Sequence, residues 1–270
     1  MLQDPHYHNQ QYRLSEIPHH YGKNVHLLSN PFLFTLLAKL AHPDTIQPWV
    51  HQLLHALYGE MVRTVVNHEF PQMDAELVSR MRASHPEGTY RGHILDPKTR
   101  VVCVNLARAG TVPSQICFEA FNYLLDPQGV RQDHISINRK VNDRDQVIGT
   151  QLGGLKIGGD IHDHFVVIPD PMGATGSTIR TAMQIYSQHG KARRYIAMHL
   201  IVTPEYLRSI TREFPDLKIY AIRLDRGLSP KSVLNEIPGS EWEHERGLNE
   251  KHYIVPGAGG LGEVINNAFV

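Results

Sequence analysis

The stretch Phe165-Val-Val-Ile-Pro-Asp170-Pro-Met-Gly-Ala-Thr-Gly-Ser-Thr178 sets small and hydroxyl side chains directly behind an apolar run. The run ending at Pro169-Asp170 predicts a buried strand, and the residues from Ser177 or Thr178 predict a helix start. A loop between the two lies beyond the carboxyl end of its strand, where parallel sheets bind ligands. Gly173, Ala174 and Gly176 let the backbone approach closely, while Thr175, Ser177 and Thr178 offer hydroxyl donors. The unbonded N–H groups and partial positive charge of a helix start favour a phosphate dianion. Asp170 would be repelled by that phosphate and suits sugar hydroxyls instead. An ordinary strand–turn–helix joint with a Ser or Thr cap has no need of so many such residues.

Such a loop needs a sheet to hold it, and the surrounding pattern provides one. Val101-Val-Cys-Val-Asn-Leu106 reads as a buried parallel strand, ending at Arg108-Ala109-Gly110 before a helix opening near Pro113. Further strands are expected at His134–Ile137, Phe165–Ile168, Tyr195–Ile201 and Leu217–Ile222, with helices from Ser177 to about His189 and from Pro204 to Phe214. Strands alternating with helices predict an α/β fold, a mostly parallel sheet flanked by helices. The polar, glycine-containing stretch from Arg139 to Asp160 predicts a protruding hairpin arm.

Before the sheet, residues 1–25 read as a polar arm and 26–100 as a helical region. One helical stripe there is Phe32, Leu36, Leu37 and Leu40; another is Val50, Leu53, Leu54, Leu57, Met61 and Val65, set apart by Pro43 and Pro48. A polar stretch, His85 to Arg100, follows. The core sheet is expected over 101–225 and a small hood over 226–270, all within a single domain of 270 residues.

Composition narrows the function classes. Lys plus Arg and Asp plus Glu number 27 each, so no bulk charge draws the chain to nucleic acid or to an anionic membrane. Phosphate affinity must then be local. Cys103 and Cys117 lie in apolar runs without metal-ligand spacing and read as reduced core thiols. No apolar run of membrane-spanning length and no signal-like start are apparent, which predicts a soluble cytoplasmic protein. His6-Tyr-His8, His19-His20 and His162-Asp-His164 lack partners at ligand spacing and read as polar turns, so no metal site is assigned.

Asp170-Pro-Met-x-Ala-Thr-Gly176 resembles the 5-phosphoribosyl diphosphate (PRPP) loop of uracil phosphoribosyltransferases. Leu106-Ala-Arg108-Ala-Gly110 is similar to that family's pyrophosphate loop, and Thr203-Pro-Glu205 and Phe214-Pro-Asp216 to the segment between its last core strands. Asp225-Arg-Gly-Leu228, Arg246-Gly-Leu-Asn-Glu250 and Tyr253-Ile-Val-Pro-Gly257 resemble its base-binding hood. The resemblance runs from about Asn24 to Val270.

It implies a type I phosphoribosyltransferase fold and the reaction of uracil with PRPP to give UMP and diphosphate, with Mg²⁺ bound mainly through PRPP. It implies Arg108, Arg139 and Asp170 as the catalytic set. PRPP would be held by Arg108, Ala109, Gly110, Arg139 and the loop Asp170, Pro171, Met172, Gly173, Ala174, Thr175, Gly176, Ser177 and Thr178. The base would meet Tyr253, Ile254, Gly259, Gly260 and Leu261, chiefly through backbone groups. A homodimer or larger homo-oligomer and a possible GTP activator are also implied.

The chain departs from the family pattern at three places. Asn138 stands where the family has Tyr before Arg139. Where the family reads Gly-Leu-Gly-Asp-Ala-Gly-Asp, this chain reads Gly257-Ala-Gly-Gly260-Leu-Gly-Glu263. An insertion at about 229–245 separates the two Arg-Gly-Leu stretches. The missing acid at Gly260 leaves two alternatives open: a weakly active or non-catalytic PRPP or nucleotide sensor, and an enzyme for another base.

Overall fold

The structure, a computed structural model, describes residues 11–141 and 147–268, with side chains described outside 138–151. Strand β1 (Val25–Leu27) is followed by helices α1 (Pro31–Leu40) and α2 (Trp49–Glu69). Asn30 caps α1, its side chain accepting from the N–H groups of Phe32 and Leu33, and Pro31 fits the first turn. Leu33, Leu37 and Leu40 form the buried face. Phe32, read as part of the stripe, is instead exposed in the capping turn. On α2, Val50, Leu54, Leu57, Met61 and Val65 are buried as their spacing predicts.

The region read as helical also contains an antiparallel hairpin, β2 (Gln72–Val78) with β3 (Thr89–Leu95), in register Ala75↔Gly92. β2 has exposed residues on both faces, so it carries no apolar alternation by which a strand is recognised. Then come β4 (Val101–Ala107), α3 (Thr111–Leu124), β5 (Val130–Val141), β6 (Val147–Lys156), β7 (Phe165–Pro169), β8 (Met172–Gly173) and α4 (Ser177–Tyr186). The chain continues through β9 (Arg194–Val202), α5 (Pro204–Glu213), β10 (Lys218–Leu224), α6 (Lys231–Leu234) and α7 (Leu261–Asn266).

Eight strands form the main sheet in the order β1-β10-β9-β7-β4-β5-β6, with β8 pairing β9 beside that path. All pairs are parallel except β5 with β6, the antiparallel arm predicted from Arg139 to Asp160. The edge strand β1 escaped the sequence reading because three residues show no period. Alternate strand residues supply two cores. Val101, Cys103, Phe165 and Val167 face α1, α2 and α3, whereas Val102, Val104, Val166 and Ile168 face α4 and α5. Ile254, Leu261 and Ile265 join the first core, which fixes the hood on that side of the sheet.

Residues 11–25, read as part of a polar arm, are packed against the fold. Glu16 bridges Leu28, the Ile17 N–H donates to the Leu27 carbonyl, and Tyr21 is buried. The insertion folds back on this same segment. Glu245, wholly buried, accepts from the Tyr21 hydroxyl, from Arg226 Nη1 at 2.8 Å and from the Gly239 N–H at 2.8 Å. Trp242 packs edge-on to Tyr21 and donates to the Pro204 carbonyl at 3.1 Å.

Candidate active site

The strand β7 ends at Pro169, and pairing with β9 resumes at Met172↔Ile201 in unchanged register. Asp170 and Pro171 bridge the gap. The Pro171 carbonyl accepts from the N–H groups of both Leu200 and Ile201, at 3.0 and 3.2 Å, so this proline orients the loop from beneath. Met172 and Ala174 face the cavity. Gly173 and Gly176 are steric necessities: a Cβ on Gly173 would lie 2.8 Å from Val202 Cγ1, and one on Gly176 2.7 Å from Ile210 Cγ1. Gly176 also has φ +84°, a conformation that favours glycine.

The loop's carbonyls are already bonded. The Thr203 N–H donates to Gly173 O at 3.0 Å, and the Thr203 hydroxyl donates to Ala174 O at 2.7 Å. Three of its N–H groups are not. Among the described residues, the N–H groups of Thr175, Gly176 and Thr178 form no hydrogen bond, and the helix-capping Gly176 has no side chain to serve them. Together with the hydroxyls of Thr175, Ser177 and Thr178, they make an anion cradle at the start of α4.

His199 and Tyr206 support this loop and were invisible as site residues in the sequence. His199 is fully buried in β9; its Nδ1 meets the Asp170 carbonyl at 2.5 Å and its Nε2 meets the Tyr206 hydroxyl at 2.6 Å. Burial pushes its pKa down to about 4, against a small opposing effect of the Asp170 carbonyl. The neutral ring therefore donates through Nδ1 and accepts through Nε2. Because the folded pKa lies below the ordinary 6.5, the stability is fully present above pH 6.5 and is lost as pH falls through about 4. That window corresponds to about 3 kcal/mol. The urea midpoint of His199→Gln should fall less between pH 7 and pH 5 than the parent's; equal falls would show that other groups carry the pH dependence.

The second loop leaves β4 at Ala107, whose peptide bond to Arg108 is cis. Gly110 lies against the end of β7: a Cβ there would be 2.8 Å from Leu106 O and 3.1 Å from Pro169 O. Ala109 touches the hood, where a Cβ on Gly262 would lie 3.2 Å from Ala109 Cβ. Arg108 between them is exposed, and among the described residues its side chain forms no hydrogen bond or ion pair. Arg139 lies in β5 opposite Thr150, but its side chain falls outside the described residues, as does that of Asn138.

The hood is fixed by acids. Asp225, buried just after β10, accepts from Arg223 at 2.6 and 2.8 Å and from the Gly257 N–H at 2.7 Å. Glu205 accepts from the N–H of Gly247 at 2.9 Å and of Leu248 at 3.3 Å. Much of the Tyr253–Gly257 backbone, expected to read the base, is bonded within the hood: Tyr253 to Asn249, and Val255 to Gly247 and Gly227. Among the described residues, the N–H groups of Ile254, Gly259 and Gly260 and the carbonyl of Ile254 form no hydrogen bond.

These three walls enclose a cavity of about 800 Å³. Leu106 to Ala109, Asp170, Met172, Ala174 and Thr178 line it from the sheet side, Ser136 and Ile137 from the arm, and His252 to Ile254 and Gly259 to Glu263 from the hood. Pro171, Gly173, Thr175, Gly176, Ser177 and Gly110 belong to the same loops without lining the cavity themselves.

A family model described as "Uracil phosphoribosyltransferase" matches residues 29–240. This chain belongs to the uracil phosphoribosyltransferase family. Family membership makes it a phosphoribosyltransferase, as its loop motifs predict, and its central, mostly parallel sheet flanked by helices fits the type I fold. The uracil phosphoribosyltransferase of Thermococcus sibiricus is 24% identical over 238 residues, 87% of this chain and 85% of that protein. That of Polaromonas naphthalenivorans is 26% identical over 247 residues, 90% of this chain and 97% of that protein. Among solved structures, the AQ2163 protein from Aquifex aeolicus shares the fold with a TM-score of 0.70 at 21% identity, covering 91% of this chain and 99% of that one. The family match ends before the hood residues that line the cavity.

Other chemistry-bearing groups are tied into structure. Burial pushes the Cys103 and Cys117 thiols far up, which keeps them protonated and unreactive. His26, His68 and Glu69 bring possible ligand atoms within 4.8 Å of one another. Tyr220 donates to Glu69 at 2.6 Å and meets His68 Nδ1 at 2.6 Å, and Arg194 pairs with the same carboxylate. This network joins β1, α2, β9 and β10. No helix among the described residues is long and apolar enough to cross a membrane.

Proposed function

We propose that the chain transfers the phosphoribosyl group of PRPP to uracil, releasing diphosphate. The observation that carries this reading is one cavity that joins Thr178 of the anion cradle, an arginine without a partner among the described residues and a hood with unbonded backbone groups. The 5-phosphate sits on the N–H and hydroxyl groups at the start of α4, and Asp170 accepts from the ribose hydroxyls. Arg108 pairs with the diphosphate, whose charge grows as its bond to C1′ breaks. Ile254, Gly259 and Gly260 meet the edge of the base, and fixed backbone groups discriminate because a mismatched base leaves them unpaired. The arm closes over the sugar, bringing Arg139 and excluding water from C1′.

Oxygen donors suit Mg²⁺, which keeps several waters and takes one or two carboxylates with substrate phosphates. Asp170, which lines the cavity, would supply one such carboxylate, and the ion when bound would supply neutralising charge to the leaving group. Gly260, which removes a carboxylate from the hood, favours a second reading, a PRPP or nucleotide sensor.

Diphosphate release from PRPP and Mg²⁺, assayed with uracil, cytosine, orotate, hypoxanthine and no base, separates the readings. Release with uracil alone is expected. Release with a different base retains the reaction class and replaces the acceptor. PRPP binding without release for any base would establish the sensor. Asp170→Asn keeps the shape and removes the charge; calorimetry should show PRPP affinity lower by about tenfold to a hundredfold. Unchanged affinity would place the ribose hydroxyls elsewhere.

A further inference from the structure

The hood turn has no side chain at Gly260, yet the space beside it is filled. A Cβ built on Gly260 would lie 2.5 Å from Glu263 Oε2 and 3.0 Å from Glu263 Cδ. Glu263 stands in the first turn of α7, its N–H donating to Gly260 O at 2.9 Å, and its side chain folds back over the Gly260 Cα. Both residues line the cavity. The Glu263 carboxylate therefore occupies the place where a side chain on residue 260 would begin.

Two acids line this cavity among the described residues, Asp170 on the sheet wall and Glu263 on the hood wall. The Glu263 carboxylate has no hydrogen-bond or ion-pair partner among the described residues, so it is available to a ligand. Its neighbour Gly262 packs against Ala109, next to Arg108, so the carboxylate stands where the hood meets the loop facing the leaving group. On the transferase reading, that junction lies between the base and the leaving group.

We propose that Glu263 accepts the ring N–H proton of the incoming base, an inference that rests on the transferase reading above. As the ring nitrogen bonds to C1′, the C1′–O bond breaks with its electron pair leaving on diphosphate. The ring proton passes to the Glu263 carboxylate. Charge and atoms balance without a further reactant. The long side chain of residue 263 thus supplies from α7 the carboxylate that residue 260 lacks.

The geometry offers a rescue test. Gly260 has φ −76°, open to any L-residue, so only the Glu263 side chain obstructs a larger residue there. In the full chain, Glu263→Gln is expected to lower kcat by about a hundredfold, in the range of general-base contributions. KM for PRPP should stay within about twofold. Combining Gly260→Asp with Glu263→Ala, which clears that obstruction, should recover at least tenfold of the rate lost in Glu263→Ala alone, with thermal melts confirming that the variants fold. Retained kcat in Glu263→Gln, a parallel rise in KM for PRPP, or a folded double variant without recovery would each overturn the proposal. A parent chain that is inactive with every base overturns the transferase reading and this proposal together; an active parent with an unaffected Glu263→Gln overturns this proposal alone.

Discussion

Arg108→Ala is expected to slow diphosphate release by about 10²- to 10³-fold, the loss usual when one preorganised partner of a developing anion is removed. The loop around Arg108 is fixed by its neighbours, Gly110 against the Pro169 carbonyl and Ala109 against Gly262. The guanidinium itself is exposed at the cavity and unpaired among the described residues. Truncation therefore removes charge and bidentate hydrogen bonding while leaving the loop where it is. The melting temperature should stay within about 2 °C of the parent, since surface substitutions of this kind seldom exceed about 0.5 kcal/mol. Arg108→Lys should recover part of the rate, because an ammonium keeps the charge but loses the planar fork. Full turnover in Arg108→Ala would detach this loop from the leaving group.

The second large effect is on stability. Glu245→Ala should lower unfolding free energy by about 3–5 kcal/mol, as expected when one partner of a buried ion pair is removed. Glu245 is wholly buried and the Arg226 side chain only 11% exposed, so solvent cannot replace the lost charge. The same substitution strands the Tyr21 hydroxyl and the Gly239 N–H. Arg226 otherwise donates to the carbonyls of Val233, Leu234 and Glu236, which ties the inserted segment to the start of the hood. Replacing both charged partners by apolar residues of similar volume, Arg226→Met with Glu245→Leu, should cost less than the single change. Urea denaturation of the three variants measures this; a single variant as stable as the parent would mean that the inserted segment unfolds without consequence for the rest.

The inserted segment also shows how local reading runs out. The chain folds it onto His20 and Tyr21 and onto the start of α5. Glu245 and Tyr21 are too far apart in sequence for any spacing rule to join them. The hairpin β2–β3 was hidden for the opposite reason, since exposed residues on both faces leave no apolar alternation.

By itself the sequence determined the parallel strands, the helices between them, the arm and the loop from Asp170 to Thr178. Each rests on a local cause: a β-branched run buried on both faces, a helical stripe, or small and hydroxyl residues at a strand end. It also singled out Arg108, through the resemblance of the five-residue motif Leu106–Gly110. Only the tertiary structure decided that His199 and Tyr206 hold the Asp170 carbonyl, and that Tyr253 and Val255 turn their backbone groups inward and leave Ile254 unbonded. It alone placed the Glu263 carboxylate over Gly260. Those outcomes depend on which buried polar groups find partners across the fold, and burial makes an unmet group too costly to leave to local preference.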